Sequence, residues 1–202
     1  MAESDIKTIR LLQQENLRLR GENSTLRDYV EKLQRVLSAL VDLQQHIDQI
    51  SPETNLYAMI HKLLEAALVA VNSENGSLLL LDEETGELVF VEVIGDAREK
   101  LLNYRLPKGV GIAGWAVTHK RARLVSNAQL EPAFSNMVDR YTGLTTKTLI
   151  CVPLFDGDRR LGAIEVVNSI TDRPFSQSDL EILQVVGRLA SIGIVEAEKM
   201  SS

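Results

Sequence analysis

Asp139, Thr142 and Thr146 stand three and four residues apart in FSNMVDRYTGLTTKTLICVPL, immediately before the most strand-like segment of the chain. A turn at that point needs only Gly143. An acid and a row of small hydroxyls therefore invite a chemical reading. If the segment closes over a sheet, one carboxylate and two hydroxyls face a single space, a set suited to the hydrogen-bonding edge of a purine and to a sugar. Glu165, in the strand expected to pair with 147–155, would face that space from the floor; Ile112 and Ala113 would supply apolar contact and Ser77 a further donor. The same residues also have a purely local use, because threonine favours strand edges and aspartate caps or bends its own segment.

Other chemistry finds little support. The three histidines, His46, His61 and His119, have no companions at metal-ligand spacing, and neither HExxH nor CxxC occurs. His119 falls at the polar end of a short helix, where a solvated ring is expected. Cys151, the single cysteine, sits between apolar neighbours in LICVPL, reads as a small buried hydrophobe, and excludes an internal disulfide. No serine occupies a GxSxG elbow. Residues PKGVG, 107–111, look like a phosphate loop but lack its GKS/T ending, so nucleoside triphosphate hydrolysis is not expected. Amides at the start of the helix that follows are still placed to hold an anion. No enzyme activity and no metal or cofactor are expected.

These residues need elements to position them. Ser51-Pro52-Glu53 has the form of a helix start, followed by a helical stripe of Leu56, Met59, Ile60, Leu63, Leu64, Ala67, Leu68 and Val71. SLLLL (77–81) and ELVFVEVI (87–94) flank the turn DEETG as a hairpin, and the unbroken apolar run of the first strand marks it as central. A short helix is expected from about Ile112 to His119, a short strand in RARLV, and a weak helix around Pro132 to Tyr141. TKTLICVPLF and RLGAIEVVN then form a second hairpin about Asp156-Gly157. Ser176 to Asp179 is a capping box that opens a last helix through Leu180, Leu183, Val186, Ala190 and Ile194. No strand is followed by a full crossover helix and a parallel strand. The expectation is an α+β fold: an antiparallel sheet of five or six strands, long helices on one face, loops and short helices on the other.

The first 50 residues differ in kind. Leu12, Leu19, Leu26, Leu33, Leu40 and Ile47 recur every seven residues, with Ile9, Asn16, Asn23, Val30, Leu37 and Gln44 three residues before each. This is a coiled-coil seam, and asparagine at two of its inner positions suits a parallel pair of identical helices. Glu15 with Arg20, and Glu22 with Arg27, have the spacing of charge pairs between such strands. Val36, Val41 and Leu43 widen the stripe, which implies that further helices join there, the last helix among them. A single long helix on its own globular body is the alternative. The expected organisation is a dimerising helix over 1–50 and a globular domain over 51–200, paired through 5–50 and the C-terminal helix.

Twenty-eight acidic against 22 basic side chains leave a net charge of −6 with no basic block, so neither nucleic acid nor an anionic membrane is an expected partner. MAESDIKTIR has no apolar signal core and no run reaches the length of a membrane span, so a cytoplasmic location is expected.

From about Glu53 to Glu198 the chain resembles the GAF domain family, small-molecule sensor modules related in fold to PAS domains. The resemblance rests on LPKGVGIAGWAVTHKRARLVSN, TLICVPLFDGDRRLGAIEVVNS and PFSQSDLEILQVVGRLAS, in the family's order. Within it, FSNMVDRYTGLTTKTLICVPL is most similar to the cyclic-nucleotide-binding domains of phosphodiesterases and adenylyl cyclases. The resemblance implies a regulatory domain with cAMP or cGMP as ligand, held by Ser77, Asp96, Ile112, Ala113, Asp139, Thr142, Thr146 and Glu165. It implies signalling through the coiled-coil dimer to an effector protein. A ligand-free dimerisation or protein-interaction module is the alternative. Gly95-Asp96 stands where that subgroup has Phe-Asp, and Ser135 where it has an aromatic. Its Asn-Lys-Phe-Asp-Glu set falls on Asn168, Ser169, Phe175, Asp179 and Leu180, with serine in place of the lysine that braces the aspartate; Arg173 is the candidate substitute.

Overall fold

The heptad segment is one helix, α1 (Ala2–Ile47), in the computed structural model, which describes residues 2–47, 56–170 and 173–201. Ile9, Leu12, Leu19, Leu26 and Val30 of the seam are 44–61% exposed, and Asn16 and Asn23 are exposed as well. Arg18 holds both flanking acids of its own helix, Glu15 at 2.9 Å and Glu22 at 2.5 Å. The helix start at Ser51-Pro52-Glu53 and the side chains of Val36, Val41 and Leu43 lie outside the described residues.

The helix α2 (Leu56–Val71) carries the predicted stripe, and Met59, Ile60, Leu63, Leu64, Ala67, Leu68 and Val71 are all buried. Six strands follow: β1 (Ser73–Leu81), β2 (Leu88–Ile94), β3 (Arg105–Leu106), β4 (Arg123–Val125), β5 (Leu149–Asp156) and β6 (Arg159–Ser169). They form one antiparallel sheet in the order β3-β2-β1-β6-β5-β4. The two hairpins lie where their turns predict. Asp82 caps the first by accepting from the amides of Glu84 (3.0 Å) and Thr85 (3.1 Å). Gly157, at φ +54°, allows the tight second turn, where Asp156 pairs with Arg159.

Two layers cover the sheet. Helix α2 and the closing helix α6 (Gln177–Ser201) pack on one face against Leu78, Ile150, Val152 and Ile164. The capping box forms as predicted: Ser176 donates its amide to the Asp179 carboxylate (2.8 Å), and the Asp179 amide donates to the Ser176 hydroxyl (3.3 Å). The opposite face carries α3 (Arg98–Leu101), α4 (Gly111–His119) and α5 (Met137–Thr142) over Leu79, Val93, Cys151 and Ala163. Successive residues of β1, Leu78 and Leu79, thus enter different cores, which is why its apolar run does not alternate. Within 95–106, α3 and β3 carry no sequence signal, since four and two residues are too short to display a period. The helix expected around Pro132 to Tyr141 is confined to α5, after a 3₁₀ turn at Ala128–Leu130. Among the described residues no helix is long and apolar enough to cross a membrane.

Candidate functional site

The sheet face beneath α3, α4 and α5 is crossed by one row of residues in register: Val93 on β2, Ser77 on β1, Glu165 on β6, Cys151 on β5 and Arg123 on β4. Directly opposed residues of antiparallel strands project to the same side. Glu165 is therefore flanked by a buried serine and a buried thiol in the middle of the sheet. The residue keeps part of its surface in solvent, but removal of the carboxyl group from water pushes its pKa up to about 7, an effect that a hydrogen bond from Cys151 only partly offsets. The thiol in turn is raised well above its ordinary range, first by burial and then by the neighbouring acid. Cys151 is thus the inert, buried side chain that its sequence context suggests.

Helix α4 lies over this row. Its entry is a turn in which the Val110 amide donates to Pro107 (3.1 Å) and the Gly114 amide to Val110 (3.2 Å). Gly114 makes the close approach possible, because a Cβ there would sit 2.4 Å from the Gly109 carbonyl carbon. Ile112 and Ala113 are 3% and 2% exposed and face the loop-side core. At the far end His119 stacks on Trp115 at 4.4 Å, and the Arg123 guanidinium, paired with Glu131 (2.7 Å), lies 4.1 Å from the same indole.

Asp139, Thr142 and Thr146 form a second cluster, on α5 and the bend that leads to β5. The Asp139 carboxylate accepts from the Thr146 amide (2.8 Å) and from the Thr146 hydroxyl (2.6 Å), so it clamps the bend shut. The Thr142 hydroxyl, buried, donates to the Val138 carbonyl (2.9 Å) and accepts from the Leu144 amide (3.2 Å). Gly143, at φ +83°, ends the helix. The acid and the hydroxyls thus have a local use in the bend: they satisfy backbone amides that no strand or helix reaches.

The structure thus divides the eight residues singled out from sequence. Ser77, Glu165, Ile112 and Ala113 belong to the sheet and α4; Asp139, Thr142 and Thr146 belong to the α5 bend; Asp96 is exposed in the turn between β2 and α3. Asn168 joins the first two groups. Three residues beyond Glu165, it accepts from the amides of Lys147 (2.8 Å) and Thr148 (3.3 Å) and donates to the Thr145 carbonyl (2.9 Å). Its left-handed backbone, φ +57°, turns the side chain toward the threonines, and an asparagine at a strand end was the available signal. Lys100 of α3, which donates to the Thr142 carbonyl (2.7 Å), left no sequence signal at all. Among the described residues no group of histidine, cysteine, aspartate or glutamate is arranged to hold a metal ion.

Comparison with known proteins agrees with this architecture. A GAF domain family model matches residues 53–195. Among curated proteins, the dual 3',5'-cyclic-AMP and -GMP phosphodiesterase 11A of Takifugu rubripes is 24% identical over 162 residues, 75% of this chain and 18% of that protein. The cone cGMP-specific 3',5'-cyclic phosphodiesterase subunit alpha' of Mus musculus is 36% identical over 76 residues, 38% of this chain and 9% of that protein. The chain thus spans less than a fifth of either relative. In structure, the GAF domain of a phosphoenolpyruvate-protein phosphotransferase from Coxiella burnetii superposes with a TM-score of 0.71 over 83% of this chain and 97% of that one, at 17% identity.

Proposed function

We infer the function from one premise: the chain belongs to the GAF domain family. GAF domains are generally non-catalytic regulatory modules, and this chain is a regulatory domain of that type. On this basis the ligand is a small molecule, a cyclic nucleotide such as cAMP or cGMP, held on the sheet face beneath α4 and beside the α5 bend. The observation that carries the reading is the Ser77–Glu165 pair under Ile112 and Ala113, a buried serine beside an acid raised to about 7 on a face whose core is largely apolar. Near neutral pH such a group either donates or accepts a hydrogen bond, as a purine edge requires. Similarity to cyclic-nucleotide phosphodiesterases supports the ligand class.

In this account residues 1–50 form a parallel coiled coil with a second copy of the chain, the C-terminal helix joins the pairing, and 51–200 is the sensing domain. The half-exposed leucines of α1 support the pairing, since a seven-residue apolar stripe bare on one chain is covered by an identical one. Ligand binding shifts the equilibrium of the loop-side elements and so biases the helices read by an effector protein. Isothermal titration calorimetry of the purified chain with cAMP and with cGMP tests the ligand. Saturable heat with either, lost in Glu165→Ala, supports the reading, and no heat with both removes it.

A ligand-free dimerisation module is favoured by a different observation: Asp139 and Thr146 are taken up by each other, and the Thr142 hydroxyl by its own helix. The same titration separates the two readings.

A further inference from the structure

We propose that α3 is a coupling element, joining the α5 bend on one face of the sheet to α2 on the other through charged hydrogen bonds centred on the buried Glu92. Glu92 is directed to the helix-side face: it pairs in register with Leu78, which pairs with Ile164, and both of these lie in the helix-side core. Helix α3 belongs to the opposite side, with Ala97 and Leu101 buried in the loop-side core. The two meet at an open edge. On its outer side β2 is last paired at Phe90, by Asn103 and Tyr104, and past that point Arg98 reaches round to donate to Glu92 Oε1 (2.6 Å) and to the Val93 carbonyl (2.9 Å).

One carboxylate oxygen carries the junction. Besides Arg98, Glu92 Oε1 faces His61 Nδ1 of α2 (3.3 Å) and accepts from the Val93 amide (3.2 Å). Donors that share a single buried oxygen compete, so a displacement of Arg98 changes what His61 finds there. At the other end of this four-residue helix, Lys100 donates to the carbonyl of Thr142, inside the bend clamped by Asp139 and Thr146. The route Thr142–Lys100–Arg98–Glu92–His61 therefore passes from the candidate ligand layer to the helix that contacts α1. Its use as a signal path rests on the sensing reading above; its existence does not.

Hydrogen exchange of the ligand-free chain tests the route. Lys100→Met is expected to raise exchange of the α2 amides around His61 roughly threefold or more, to leave α6 amides unchanged, and to add nothing in a Glu92→Gln background. Should Glu92→Gln fail to fold, His61→Gln, at a half-exposed position, serves as the background. The proposal is overturned if Lys100→Met leaves α2 unchanged, loosens α2 and α6 alike, or acts equally in either background. Because no ligand is present, such a result removes the route and leaves the calorimetric test of binding intact.

Discussion

Replacing Glu165 by glutamine isolates the electrostatic character of the sheet floor. In the unfolded chain the carboxyl group titrates at its ordinary 4.5; in the fold, burial raises it to about 7. Below 4.5 both states hold the proton and the group has no effect on stability. Between the two values the unfolded chain releases its proton while the folded chain keeps it, so stability falls as pH rises and levels off above the folded value. At 1.36 kcal/mol per pH unit the gap corresponds to about 3 kcal/mol lost by pH 8. Glutamine keeps the shape and an oxygen able to accept from Cys151, and it cannot ionise. Glu165→Gln is therefore expected to match the native chain near pH 4.5 and to exceed its stability by about 2–3 kcal/mol at pH 8. Urea unfolding between those limits, with equal m-values for the two proteins, measures the difference. Parallel stability curves would refute the reasoning, because they would mean that the carboxyl group is not withdrawn from water.

Three other perturbations probe the frame around it. Gly114→Ala forces a Cβ to within 2.4 Å of the Gly109 backbone and is expected to cost about 1–3 kcal/mol, read as a lowered thermal midpoint. Asp139→Ala leaves the Thr146 amide without its acceptor; a loss of about 2 kcal/mol is expected, with faster exchange at that amide. Asp82 is held at about 2, chiefly by Arg105 and then by the Thr85 amide, against an ordinary 3.8. Its contribution is complete above the ordinary value and lost as pH falls toward 2, so Asp82→Asn should flatten that part of the acid unfolding curve.

Much of this architecture is legible in local chemistry. Leucine at successive positions of β1 marks a strand buried on both faces, Asp-Gly marks the second hairpin, and Ser176 with Asp179 marks the start of α6; each signal needs only neighbours in sequence. Asp139 and Thr146 were also visible by type and spacing, but two uses of the same groups were open. Only the backbone of the bend, with Gly143 left-handed, decides that carboxylate and hydroxyl meet each other. The junction at Glu92 was beyond reach for another reason. His61 lies 31 residues away, and Arg98 stands on a helix too short to show a period. Asp96 is implied by resemblance alone, and its turn leaves it in solvent.

Native mass spectrometry of the chain purified from its own host bears most directly on the claim that this is a ligand-binding regulatory dimer. The account predicts a mass of two subunits with an added small molecule of nucleotide size. A dimer that carries nothing and gains nothing from added cAMP or cGMP, or a bare monomer, would contradict it.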